Sequence, residues 1–223
     1  MKPSWKWPIH FGLGIGILLG AQACNAGADI GTPIAVDAKH LAGENIPVNG
    51  SLVGAYRLSD RDGEHILVLS RKSGPSPSAP KSGRVERVDL SAEYYQQLAS
   101  GQWKQSWTIR DQSDCPGLDV EGDFFLAEVG FSDLNKDGKA EVTVPYRLFC
   151  GGAIEPSTVK IILREGPTKL AIRGESLVQV QQPGVEAFGG EHKHDAALLT
   201  PERAPYRRHL DTVWAKVSVE KRK

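Results

Sequence analysis

Ala140-Glu141-Val142-Thr143-Val144-Pro145-Tyr146-Arg147-Leu148-Phe149-Cys150 is the stretch that decides the fold. Ala140, Val142, Val144, Tyr146, Leu148 and Cys150 stand at every second position, so they line one face of a strand. Upstream, Phe125, Ala127, Val129 and Phe131 alternate in the same way and predict a strand over 124–131. Trp103, Trp107 and Ile109 fall on one face of another, over 103–111. Downstream, Thr158 to Leu163 and Lys169 to Arg173 flank Gly166-Pro167-Thr168 as a hairpin, and Ser176 to Val180 suits an edge strand.

The pattern extends toward the N-terminus. Ser51 to Leu58 and His65 to Ser70 flank Asp60-Arg61-Asp62-Gly63, whose Asp-Gly pair signals a hairpin turn. A tight turn is preferred there to an ion loop, because no further ligand follows in register. Ser73 to Gly83, rich in Pro, Ser and Gly, predicts a mobile loop. Val88, Leu90, Ala92 and Tyr94 alternate with polar residues, which favours a strand over a helix. Only near the C-terminus does the period change. Tyr206, Leu210, Val213, Trp214 and Val217 recur at helical spacing, with Pro205 in the first turn. No segment repeats at a fixed period, which counts against a propeller or solenoid. The expectation is a mainly β chain, an antiparallel meander sheet, curled or sandwich-like, with an amphipathic C-terminal helix packed on it. One domain over 50–223 would follow an extended linker at 24–49.

Composition narrows the function classes. The 223 residues are 40% hydrophobic, enough for a core, and Lys+Arg balances Asp+Glu at 27 each. No basic stretch dominates, which argues against a nucleic-acid partner. Lys2 and Lys6 precede an apolar run from Ile9 to Gly20, followed by the small residues Ala21, Ala23 and Ala26. That succession reads as an export signal over 1–23. The run is shorter than the ~18 residues a membrane span needs. Ala21-Gln22-Ala23-Cys24 resembles a lipobox, in which Cys24 would carry lipid and anchor the chain to a membrane. Ordinary cleavage after Ala23 or Ala26, giving a soluble periplasmic or secreted chain, is the alternative. Asn25 after the cysteine favours an outer-membrane destination in the bacterial cell envelope.

Asp133-Leu134-Asn135-Lys136-Asp137-Gly138-Lys139-Ala140-Glu141 carries the chemistry. Oxygen-bearing side chains stand at its first, third, fifth and ninth positions, with glycine at the sixth for a sharp bend. That spacing suits a hard cation such as Ca²⁺. The expected ligands are Asp133, Asn135, Asp137, Glu141 and the backbone carbonyl of Lys139, in a structural role. An EF-hand would need an acid where Val144 stands, so the shorter hairpin loop of FG-GAP blades is the better match. A solvated acidic turn is the alternative. If strands 103–111, 124–131 and 140–149 run up, down and up, Cys115 and Cys150 share one pole, and a disulfide can close there.

Cys115-Pro116, the Asp133 loop between Phe131 and Val142, Tyr146, Cys150-Gly151-Gly152, Pro156, Lys160 and Ala171-Ile172-Arg173-Gly174 follow in order. This succession resembles a family of bacterial exported proteins and lipoproteins, over roughly residues 85–175. Some members are labelled surface polysaccharide biosynthesis proteins. The resemblance implies a cell-envelope setting, and no catalytic residue can be carried over from it.

Other motifs are weaker. Glu191-His192-Lys193-His194-Asp195 offers two histidines on one face, but no third nitrogen or sulfur ligand at metal spacing. Ser176 lacks the second glycine of a nucleophile elbow. Asp111, Asp114, Asp119, Glu121 and Asp123 gather near the cysteine pole. Trp103 and Trp107 could stack a sugar, although two tryptophans on one strand face are ordinarily core. The leading expectation is a non-catalytic, calcium- and disulfide-braced envelope module with a binding or structural role, its ligand unknown and an envelope glycan or protein its candidate partner. The alternative is an enzyme or accessory factor acting on surface polysaccharide. A concave pocket with two close, buried carboxylates would favour the alternative.

Overall fold

The computed structural model describes Met1 and residues 30–222. The apolar run expected to be an export signal, and Cys24, lie outside the described residues.

Strands β1 (Ile34–Ala35), β2 (Ser51–Asp60), β3 (Gly63–Gly74), β4 (Arg87–Gln97) and β5 (Trp103–Asp114) pair antiparallel in that order, with helix α1 (Ala38–Gly43) between β1 and β2. The chain then forms β6 (Asp119–Phe124), β7 (Gly130–Ser132), β8 (Glu141–Gly151), β9 (Thr158–Glu165) and β10 (Thr168–Glu175). Strands β11 (Leu177–Val180), β12 (Phe188–Gly189) and β13 (His192–His194) follow, then helix α2 (Ala204–Val217) and β14 (Val219–Arg222). The second sheet runs β13-β10-β9-β8-β6, and β7 also pairs with β8. The antiparallel, meander-rich sandwich with a C-terminal helix agrees with the sequence pattern. The Ser176 to Val180 segment departs in one respect: β11 joins β12 and β14 in a separate small sheet.

Two facing sheets bury one core, in which Leu67, Leu69, Val88, Leu90, Trp107 and Ile109 meet Val142, Val144, Tyr146, Leu148, Ile162 and Ala171. The other face of the second sheet presents Val159, Ile161, Leu163, Leu170 and Ile172 to Tyr206, Leu210, Val213, Trp214 and Val217 of α2. Burial on both faces is why the middles of β9 and β10, Ile161–Leu163 and Leu170–Ile172, are continuous apolar runs. A third cluster covers the far side of the first sheet, where Leu41 and Ile46 pack on Ala55, Ile66, Val68 and Tyr95. Residues 34–48, expected as an extended linker, are therefore folded onto the sheet. Asp37 caps α1 by accepting the His40 amide at 2.8 Å, and Leu41 is 0% exposed.

Three local readings are corrected. The expected strand over 124–131 is broken into β6, a 3₁₀ turn at Leu126–Glu128 and β7. Pro145 explains the break. Its carbonyl accepts the Phe125 amide at 3.0 Å, but proline has no N–H to return the bond. Pairing stops at Phe124↔Tyr146 and resumes at Gly130↔Thr143. Second, Trp103 and Trp107 do not share a face. Tyr94 opposes Trp107 while Tyr95 opposes Gln105, so Ser106 is an extra residue that reverses the alternation. Trp107 enters the inter-sheet core and Trp103 the α1 cluster. Third, β5 belongs to the first sheet and β6 and β8 to the second, so the three strands are not one up-down-up set.

The disulfide itself forms. Cys115 and Cys150 are joined with Cα atoms 5.6 Å apart. Cys115 lies where the chain crosses from β5 to β6, and Cys150, the penultimate residue of β8, stands opposite Val120. The bond thus ties the crossover to the second sheet. In the segment beyond β3, Ser76 is 0% exposed, and Glu86, 3% exposed and just before β4, accepts the Gly117 amide at 2.9 Å.

Candidate functional site

The Asp133 loop joins β7 to β8 and is made of side chains folded back on their own backbone. Asp133 accepts the amides of Asp137 and Gly138, each at 3.0 Å. Asn135 accepts the Asp137 amide at 2.9 Å, and Asp137 the Lys139 amide at 2.9 Å. Gly138 takes φ +78°, the left-handed bend expected of the sixth position.

Glu141 begins β8 and is 1% exposed. Its Oε2 accepts the Leu134 amide at 2.7 Å, closing the loop from below. Burial holds its carboxyl above the ordinary glutamate value, and the charges of Asp133, Glu165 and Asp137 add to the effect. Glu165, at the end of β9, accepts hydrogen bonds from Asn135 Nδ2 at 2.8 Å and the Tyr206 hydroxyl at 2.6 Å, and pairs with Arg203. Its burial opposes ionisation, but the Tyr206 and Arg203 bonds outweigh it and leave the carboxyl below its ordinary value. The Tyr206 hydroxyl also lies 3.5 Å from Glu141 Oε1. Asp137, Glu141 and Glu165 line one cavity of about 210 Å³.

The β2–β3 turn docks on the same loop. Asp60 Oδ2 accepts the Ala140 amide at 2.9 Å, and the Arg61 amide donates to the Gly138 carbonyl at 2.8 Å. Lys139 Nζ stands 2.8 Å from Asp62. The acidic turn at Asp60 is therefore a clasp between sheets. Beside it, His65 Nε2 contacts Asp60 at 2.8 Å while its ring stacks on Tyr94, which stacks in turn on Trp107.

The expected ligands Asp133, Asn135, Asp137, Lys139 and Glu141 are thus held in one loop. Among the described residues no three His, Cys, Asp or Glu side chains converge as a ready-made metal group. Glu165, Tyr206, Arg203 and Asp60 were missed as neighbours of this loop. Their approach depends on strand register and on where α2 lands, and neither leaves a local motif.

The remaining candidates are engaged by other neighbours. His192 stacks on Trp214 at 4.6 Å and His194 reaches Asp211 at 2.6 Å. Ser176 is 0% exposed and accepts the Ser157 amide. Trp107 is covered by Tyr94 and by the Arg164 guanidinium, 5.4 Å from its ring. Asp111, Asp119, Glu121 and Asp123 pair with Lys160, Arg84, Arg147 and Arg71 respectively. No helix among the described residues is long and apolar enough to cross a membrane. No protein-family model matches the chain, and neither a curated protein nor a solved structure matches it.

Proposed function

We propose that the chain is an exported cell-envelope module that binds or braces rather than catalyses, with one structural Ca²⁺ on the Asp133 loop and a lipid anchor on Cys24. The observation that carries the reading is Glu141: a carboxylate 1% exposed, beside Asp133, Asp137 and Glu165. Burying one carboxylate beside half-buried and exposed like charges is costly unless a cation offsets it. Each carboxylate that accepts a loop amide keeps further lone pairs for an ion. The donors are oxygen only, which suits Ca²⁺ and disfavours zinc. Asp133, Asn135, Asp137, Glu141 and the Lys139 carbonyl would hold the ion, and it would fix the turn between β7 and β8. Titration calorimetry and thermal melts with calcium and with chelator test this. Identical melts in both conditions sink it. Mass spectrometry of the membrane-extracted chain tests the anchor, and an unmodified Ala26 or Gly27 start would refute it.

The polysaccharide-enzyme reading has one observation in its favour. Glu141 and Glu165 approach one tyrosine hydroxyl, with protonation preferences pushed apart, as acid/base pairs are. The cavity they share, about 210 Å³, falls below the roughly 300 Å³ at which small-molecule pockets begin. It suits an ion and water better than a sugar.

A further inference from the structure

The far face of the first sheet changes character along its strands. At one end Leu41 and Ile46 pack on Ala55, Ile66, Val68 and Tyr95. Alternation continues that face across β3, β4 and β5 as two polar rows, Ser70–Ser91–Arg110 and Lys72–Asp89–Gln112. Leu90 and Asp111, which oppose each other, point the other way: Leu90 lies in the inter-sheet core and Asp111 meets Lys160. Against these rows lies a cavity of about 410 Å³, lined by Asn49, Lys72, Asp89, Ser91, Arg110 and Gln112. A second, of about 520 Å³, shares Lys72 and Asp89 with it and is bounded by Pro75 and Pro77. The two adjoin as one groove. Each falls within the roughly 300–1,000 Å³ of small-molecule sites. Asn49, Lys72, Arg110 and Gln112 are all exposed, so the groove opens to solvent.

Its charges leave one cation unanswered. Arg87 is tied to Asp89 at 2.7 Å and also donates to the Gln112 side chain. Arg110 reaches Glu93, on the same face, at 3.3 Å. Among the described residues no ion pair reaches Lys72, although Asp89 stands opposite it on β4. The neutral side chains of the lining, Asn49, Ser91 and Gln112, carry amide and hydroxyl groups that donate and accept hydrogen bonds alike. Such groups match hydroxyls, which also do both. One spare cation set among them fits a ring that bears a single anionic substituent and several hydroxyls, and the anion would be drawn to Lys72.

We propose that this groove binds a sugar carrying one anionic group, a uronate or a sugar phosphate, with the anion on Lys72 and ring hydroxyls on Asn49, Asp89, Ser91 and Gln112. The inference rests on the reading of the chain as a binding module, and neither the calcium loop nor the lipid anchor enters it. Its test is therefore run in chelator, by nuclear magnetic resonance titration of the full chain. The probes are methyl glucuronide and glucose phosphate. The controls are methyl glucoside, which lacks the anion, and cyclohexanecarboxylate, which lacks the hydroxyls. At least one anionic sugar is expected to bind tenfold or more tighter than either control, and to shift the amide resonances of Lys72, Ser91, Arg110 and Gln112. The tighter of the two assigns the anion to a carboxylate or to a phosphate. Lys72→Gln should weaken that binding at least fivefold, whereas Lys104→Gln, which removes the same charge at the other end of β5, should leave it within twofold. Equal binding of a control, equal losses in the two variants, or a glutamate-rich peptide that displaces the sugar and binds more tightly would each overturn the proposal. If neither anionic sugar binds while calcium still raises the melting temperature, the groove assignment falls and the calcium-braced module stands.

Discussion

Asp60, the last residue of β2, accepts the Ala140 amide of the opposite sheet at 2.9 Å, so the first hairpin and the Asp133 loop are held as one unit. The same carboxylate accepts the Asp62 amide at 2.7 Å and contacts His65 Nε2 at 2.8 Å. Its side chain is only 4% exposed. Asp60→Ala would strand two amides and an imidazole nitrogen, at a cost of about 3 kcal/mol. For a chain of this size that is a drop of about 6–12 °C in melting temperature. Burial opposes ionisation of Asp60, but the bonds from His65, Ala140 and Asp62 outweigh it and lower its pKa. A depressed carboxylate gives stability that is present above its unfolded pKa and lost as the pH falls through the folded one. The wild type should therefore lose more stability than Asp60→Ala on acidification below pH 3.8, and the two melting curves should converge there.

His209 predicts a second pH dependence, in a higher window. Its Nε2 lies 2.9 Å from the hydroxyl of Thr143, which is 0% exposed, under α2. Burial, with a smaller contribution from the Lys216 charge, depresses its pKa below 6.5. The unfolded chain thus takes up this proton before the folded one does. Stability is complete above pH 6.5 and declines as the pH falls toward the folded pKa, by at most about 1.4 kcal/mol per pH unit. Urea unfolding of wild type and His209→Gln from pH 7.5 to 5 measures the difference. The variant should show the flatter profile.

Periodicity carried most of this architecture, and it failed where a single residue reset the frame. Val88 to Tyr94 and Ala140 to Cys150 alternate, and each became a strand with the expected face inward. Trp103 and Trp107 alternate too, yet Ser106 is a bulge residue, and nothing local distinguishes it from a regular strand position. The interruption near Leu126 did have a visible cause in Pro145, but its effect falls on the partner strand, twenty residues earlier in sequence. The Asp133 loop was legible because its turns are local. Its neighbours Glu165, Tyr206 and Asp60 come from strands and a helix whose approach depends on the whole packing, and no spacing rule encodes that.

Reduction of the Cys115–Cys150 bond should destabilise the sandwich without changing its sheet content. The bond closes 35 positions and fixes the crossover between sheets, and the chain-entropy model assigns such a loop about 3–4 kcal/mol. Cys115→Ser with Cys150→Ser should lower the urea midpoint accordingly while leaving the far-ultraviolet circular dichroism unchanged. A midpoint equal to that of the oxidised wild type would mean that the crossover is fixed without the bond, through the Cys115 amide on the Glu86 carbonyl at 2.7 Å.

Glu141→Gln separates an ion site from an acidic turn, because the two readings give opposite signs. Without an ion, Glu141 is a buried carboxylate whose pKa is raised by burial and by Asp133, Glu165 and Asp137. Keeping it charged at neutral pH costs stability, and that cost is relieved as the pH falls through its folded pKa toward 4.5. Glutamine is nearly the same size, keeps an oxygen for the Leu134 amide, and carries no charge. In chelator at pH 7, Glu141→Gln should therefore melt above the wild type, by about 2–4 °C for each kcal/mol relieved. Near pH 4 that advantage should vanish, because the wild-type carboxyl is then protonated as well. In millimolar calcium the order should reverse, because binding to the folded state alone stabilises the wild type and the variant has lost a charged ligand. A variant more stable in chelator and indifferent to calcium, beside a wild type equally indifferent, would leave Glu141 as a strained carboxylate under an ordinary acidic turn.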